Sequence, residues 1–284
     1  MGRKIAIVGG DLRNAMLSKI LLNSKELVLV YGLEKYNEYI NKNNICKCLS
    51  VEDAVNNCEF VIGPLPLKNE EAENELIEHA ISVMNNNQVF VTGKINNKFK
   101  ECLNKKNIKW FDILEREEFV ILNAIATAEG AVQIAIENTL KTIHNSNVLV
   151  LGFGRIGKVL CKMLNDMGAV VSCEARKNSD LAFINAYGYN PINIKKLEEN
   201  IKCYDIIINT VPSLILNKKM LDLVNKEALL IDLASKPGGI DFEYAGEIGV
   251  KAIWALALPG KVAPYTSAEY IKETFYNIIE ENKL

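Results

Sequence analysis

Gly152, Gly154 and Gly157 stand in the stretch VLVLGFGRIG, after the apolar run Val148–Leu151 and before IGKVLCKMLNDMG, whose apolar residues recur at helical spacing. A tight turn at Gly152, a bare backbone at Gly154 and close helix packing at Gly157 are what a dinucleotide pyrophosphate requires. The anion would rest on the N–H groups that open the helix, at Arg155 and Ile156. A strand before the glycines and a helix after them give the pattern the context it needs.

The residue that reads the adenosine ribose normally ends the next strand, about 20 residues past the first glycine. Such strands commonly run Gly-Ala-x-Val-x-x-x-Asp-Arg. Here the run is Gly168-Ala169-Val170-Val171-Ser172-Cys173-Glu174-Ala175-Arg176, and the acid's place falls on Ala175. Glu174 comes one position early, and alternation along a strand sends it to the other face. Arg176, Lys177 and Ser179 supply two cations and a hydroxyl, which suits a 2′-phosphate. The expected cofactor is NADP. In the competing reading Glu174 rotates inward and binds NAD.

Thr210, Val211 and Pro212 of NTVPS end a further apolar run, and Ala234 and Ser235 of DLASKPGG end the one after it. In an open parallel sheet both places lie at the carboxyl ends of strands, over the cofactor. The N-terminal IVGGDLRN is a degenerate second turn, with Asn14 in the third glycine's place. It is expected to hold no nucleotide. Its helix N-terminus, with Gly10, Asp11 and Arg13, is expected instead to receive a substrate carboxylate.

Two sets of strands must position these turns. KIAIVGG, ELVLVYG, FVIGPL, QVFVTG and KWFDI read as strands between helical segments, and the alternation restarts at NVLVLGFG. Strand alternating with helix predicts parallel sheets covered on both faces. The expected fold is α/β, with two Rossmann-like domains joined by a long helix and a cleft between them. Residues 1–125, completed by a C-terminal helix 266–284, form a substrate and catalytic domain. Residues 126–146 form the connecting helix, and residues 147–265 the dinucleotide-binding domain.

Composition narrows the partners. The 284 residues are 49% hydrophobic and 24% charged, with a net charge of −2 and no long basic run. Nucleic acid and anionic membrane are therefore not expected. The apolar run Ile5–Val8 is too short for a signal or membrane-spanning segment. Seven cysteines without a CxxC pair, and two histidines, make neither a zinc site nor a disulfide scaffold. No metal is expected, and reduced thiols in a cytoplasmic protein are.

At GGDLR, LEREEFVILNAIATAEGAVQIAI, LGFGRIG, NTVPSLILN, DLASKPGGIDF and LPGKVAPYTSAEYI the chain resembles the A subunits of dipicolinate synthase. The resemblance covers nearly the whole length, and the combination of blocks is more specific than any one of them. Alanine dehydrogenase, the transhydrogenase NAD(H) domain and S-adenosylhomocysteine hydrolase are more distant. Pro259, Gly260, Val262 and Thr266 resemble an alanine dehydrogenase block, but this chain has no histidine in its first 78 residues.

The resemblance implies formation of pyridine-2,6-dicarboxylate from a lysine-pathway dihydropyridine, or its hydrated precursor, during sporulation. It also implies that the partner is a flavoprotein-like B subunit. A homo-oligomer is expected. A dicarboxylate substrate needs cations, for which Arg13, Lys94, Arg116, Lys236 and Lys261 are candidates. Aromatisation needs a base, for which Glu129 is the first candidate, with Glu115 and Glu117 behind it. Glu129, Lys236 and Lys261 form the expected catalytic set; Gly10, Asp11, Arg13 and Arg116 the expected substrate-binding set. Two other readings stay open: a cofactor-binding or regulatory subunit that needs its partner for chemistry, and an alanine dehydrogenase-like oxidoreductase of 2-amino or 2-oxo acids.

Overall fold

The computed structural model describes residues 2–43, 45–68 and 70–284. The chain divides into two compact units, Met1–Asn123 with Ala263–Leu284, and Ala124–Val262. The first unit runs β1 (Lys4–Val8), α1 (Leu12–Asn23), β2 (Leu27–Tyr31), α2 (Asn37–Lys42), β3 (Cys46–Lys47), α3 (Val51–Val55), β4 (Phe60–Ile62), α4 (Glu71–Val83), β5 (Val89–Thr92), α5 (Asn97–Lys105) and β6 (Lys109–Asp112). Helix α6 (Glu117–Asn138) leads into the second unit. There follow β7 (Asn147–Leu151), α7 (Arg155–Asp166), β8 (Val170–Ala175), α8 (Asn178–Ala186), β9 (Asn190–Asn193), α9 (Leu197–Asn200), β10 (Ile206–Asn209), α10 (Lys218–Leu223), β11 (Leu229–Asp232), α11 (Phe242–Glu247), β12 (Lys251–Trp254) and α12 (Leu258–Val262). The chain ends in α13 (Pro264–Asn282), which belongs to the first unit.

Among the described residues the strands form two six-stranded sheets, ordered β3-β2-β1-β4-β5-β6 and β9-β8-β7-β10-β11-β12. Every pairing is parallel. Both are the doubly wound Rossmann order, with a switch point at β1/β4 in one sheet and β7/β10 in the other. The inner strands are continuous apolar runs because helices cover both faces. Ile5 and Ile7 of β1 join one core with α1 and α13, while Ala6 and Val8 join another with α3 and α4. Phe275 of α13 is fully buried and meets the Phe60 ring edge-on, with 5.2 Å between centroids.

The long helix departs from the expected span 126–146. It starts nine residues earlier, after the turn Ile113–Glu115, with Glu117 and Glu118 in its first turn, where carboxylates favour the helix dipole. It stops at Asn138, whose amide donates back to the Ile134 carbonyl. By length and composition this helix could cross a bilayer. Here Phe119 is buried in the first unit's core, and Ala128, Ala131 and Ala135 in the second's. All seven cysteines are free thiols.

Candidate functional site

The glycine turn has the geometry its three positions demand. Gly152 has φ of +95°, and a side chain there would meet Val211 Cγ2 at 2.6 Å. At Gly157 a Cβ would lie 2.0 Å from the Gly152 carbonyl oxygen, so α7 can approach β7 this closely only without one. A Cβ at Gly154 would meet nothing within 4 Å, and Gly154 caps α7 with no side-chain hydrogen bond. The helix therefore opens beside empty space with no side chain capping it, as a pyrophosphate requires.

Around this turn lies a groove of about 330 Å³, lined by Gly152, Phe153, Gly154, Glu174, Ala175, Arg176, Lys177, Asp180, Thr210, Val211 and Pro212. The loop after β10 is fixed from both sides. Thr210 Oγ1 donates to the Leu151 carbonyl at 2.8 Å, and the Asn209 side chain bridges Val211 and Asp232. Asp232 is fully buried and accepts from Asn209 Nδ2, Ala234 N and Gly239 N at 2.7–3.0 Å. One carboxylate thus ties together the ends of β10 and β11 and the loop beyond.

The last two residues of β8 differ from expectation. Alternation holds: Ala175 packs in the core with Leu160 and Cys161, and Glu174 pairs with Leu151 and Ile192 on the neighbouring strands. Yet Glu174 lines the groove rather than turning from it. At the carboxyl edge of a sheet both faces open onto the same crevice, so parity decides less there than in mid-strand. Burial raises the Glu174 carboxyl above its ordinary value, against the opposing pull of the Arg176 charge and a Gly152 backbone hydrogen bond. Arg176 is exposed and donates to Ser213 Oγ at 3.4 Å. Arg155 and Ile156 open α7, with Arg155 exposed. Ser179, exposed on α8, and Ala234 and Ser235, past β11, lie outside the groove lining.

The first unit's equivalent turn is not open. Asp11 caps α1, accepting from Arg13 N at 3.0 Å in a capping box with Asn14. Its carboxylate also takes the Arg13 guanidinium, with Nη2 to Oδ2 at 2.6 Å and Nε to Oδ1 at 3.0 Å. Gly10, at φ +111°, leaves room for the Asn14 side chain, whose Oδ1 would lie 2.2 Å from any Cβ there. The expected carboxylate seat at Gly10, Asp11 and Arg13 is thus filled by the chain's own aspartate. Arg116 is likewise engaged: both terminal nitrogens donate to Glu281 at 2.7 Å and Nε donates to Glu118 at 2.7 Å. Those acids hold the guanidinium charged, well above its ordinary range.

The other candidates are at the surface. Lys94 is exposed, its backbone N–H bound by Asp112, and Glu115 pairs with Lys100 at 3.2 Å. Glu129 on α6, Lys236 after β11 and Lys261 on α12 are exposed within the second unit. Helices α6 and α12 touch where Gly130 faces Leu258, at 3.0 Å from a notional Cβ. Among the described residues no three His, Cys, Asp or Glu side chains gather as a metal site.

Residues 4–114 match the N-terminal domain of the dipicolinate synthase A subunit, and residues 121–236 the NAD binding domain of D-isomer specific 2-hydroxyacid dehydrogenases. The dipicolinate synthase A subunit of Bacillus subtilis (strain 168) is 32% identical over 99% of this chain and 97% of its own. The chain belongs to the family of dipicolinate synthase A subunits. The crystal structure of the family's member from Bacillus halodurans superposes with a TM-score of 0.84 at 30% identity, over 98% of each chain. The transhydrogenase of Sinorhizobium meliloti shares the fold, with a TM-score of 0.71 at 16% identity over 98% of this chain and 92% of that one. This member of the dipicolinate synthase family thus carries a dehydrogenase-type domain for a nicotinamide cofactor in its second unit.

Proposed function

We propose that the chain is an NADP-dependent oxidoreductase that forms dipicolinate from dihydrodipicolinate or its hydrated precursor. The observation that carries this is the groove at the glycine turn, where an uncapped helix N-terminus lies beside Arg176 and Lys177. Two cations at the rim, and Ala175 where an acid would repel phosphate, support the 2′-phosphorylated cofactor. Glu174 in the groove favours a second reading, in which NAD is held through its ribose hydroxyls.

When bound, the nicotinamide accepts a hydride. The substrate ring must also lose a proton, and Glu129, exposed on α6, is the candidate to take it. Aromatisation makes the step downhill, so positioning supplies most of the catalysis. The substrate's two carboxylates find exposed cations in Lys236 and Lys261. At Arg13 a substrate carboxylate would have to displace Asp11, and at Arg116 Glu281. Because Glu129, Lys236 and Lys261 are all exposed, a cofactor-binding subunit that depends on its partner is a further reading. The naming of the relatives as A subunits supports a B subunit, and we place the assembly, as a homo-oligomer of this chain with that partner, in the cytoplasm of a sporulating cell.

The test follows NADPH absorbance with NADP⁺ and freshly generated dihydrodipicolinate, first with the purified chain and then with the B subunit present. Turnover by the chain alone supports the enzyme reading. Turnover only with the partner favours the dependent subunit, and none in either case refutes the dipicolinate assignment.

Arg176→Ala addresses the cofactor. A charged hydrogen bond is worth about 1.5–3 kcal/mol, so NADP affinity should fall roughly ten- to a hundredfold. NAD affinity should hardly move. Equal losses for both cofactors would show that Arg176 does not read the 2′-phosphate.

A further inference from the structure

Glu174 is 2% exposed, and its Oε1 has no hydrogen-bond partner among the described residues. A carboxylate so placed is poorly tolerated as an unpaired charge. It nevertheless lines the groove, between the glycine turn and the rim cations. Of the charged groups that line the groove with it, Arg176 and Lys177 come from the end of its own strand and Asp180 from α8. The strands on either side offer Leu151 and Ile192, and the loop after β10 offers Thr210, Val211 and Pro212; none of these titrates. Cys173 is in the core on the opposite face of β8.

We propose that NADP binds with Glu174 as the neutral acid and NAD with Glu174 ionised, so that the choice of cofactor shifts with pH. This rests on the reading that the groove takes the adenosine end of a nicotinamide dinucleotide. A 2′-phosphate brings a charge of about −1.5 to −2. Placed beside a carboxylate it disfavours the ionised form, as any like charge does. The neutral acid donates its O–H to the phosphate or a ribose oxygen, which satisfies Oε1. With NAD the direction reverses, and the ionised carboxylate accepts from the ribose hydroxyl. Burial already raises this carboxyl, so the proton needed for NADP is available at higher pH than for an exposed glutamate.

Where free Glu174 is ionised, NADP binding then takes up one proton. The NADP dissociation constant should rise about tenfold per pH unit there, while that for NAD stays level. The experiment is calorimetric titration of the full chain with each cofactor at a series of pH values across which the chain stays folded. Paired buffers of different ionisation enthalpy give the number of protons bound. Beyond the phosphate's own contribution, wild type should bind about one proton more with NADP than with NAD at every pH: uptake with NADP where free Glu174 is ionised, release with NAD where it is neutral. Glu174→Gln should bind NADP with only the phosphate's own pH dependence and should weaken NAD. Equal proton counts for the two cofactors would overturn the proposal. That count is read on the wild type, so it decides the matter even if the variant misfolds. Absence of binding by either cofactor would overturn this proposal and the cofactor reading together; binding of both with no difference in proton count at any pH overturns this proposal alone.

Discussion

Gly154→Asp is expected to abolish dinucleotide binding while leaving the chain at least as stable as before. A Cβ at this position meets nothing within 4 Å, and the backbone has an ordinary φ of −80°. Aspartate is also a preferred N-cap, worth about 0.5–2 kcal/mol over a residue that cannot cap, though only a few tenths over glycine. The new carboxylate would do for α7 what Asp11 does for α1. It would also stand where the pyrophosphate must lie. Two like charges 4 Å apart repel by about 4 kcal/mol at an effective dielectric near 20, close to a thousandfold in affinity. Calorimetry checks binding and thermal unfolding checks the fold. Unchanged affinity in a folded variant would remove the glycine turn from the site.

Asp232→Ala is expected to have the largest effect on stability. The carboxylate is fully buried and receives Asn209 Nδ2, Ala234 N and Gly239 N. Alanine would strand the buried Ala234 and Gly239 N–H groups and leave Asn209 Nδ2 with the Val211 carbonyl alone. Each stranded donor is worth about 1–3 kcal/mol, and because neighbouring losses do not add, a total of about 3–5 kcal/mol is expected. Urea unfolding measures the difference. A loss under about 1 kcal/mol would mean that the stranded groups find other partners.

The inner strands were legible because burial on both faces writes itself as an unbroken apolar run, as in Val148–Leu151. The edge strands β3 and β9 were not. Cys46–Lys47 is two residues long, and Asn190–Asn193 reads Asn-Pro-Ile-Asn, with no alternation to betray a strand. They hold equivalent places in the two sheets, so doubly wound topology was the signal that could have located them. The glycine turn was legible because each glycine answers a local steric demand. Glu174 was misplaced because parity was applied at a strand end. The closure of the α1 turn was missed because Asp11 read as part of an anion site. An aspartate followed three residues later by Asn14 is a capping signature, and it fills the place an anion would take.

The discontinuity of the first unit bears on how the protein is made. Its core is finished by α13, which is synthesised only after the whole of the second unit, whereas the second unit is one uninterrupted segment. At roughly 5–20 residues per second, the 161 residues from Ala124 to Leu284 take about 8–30 s to emerge. Throughout that interval the face of the first sheet that awaits Ile271, Phe275 and Ile278 is uncovered. During translation the domain that begins second therefore closes first, and the apolar face left waiting on the earlier one is the surface that nascent-chain chaperones would have to shield.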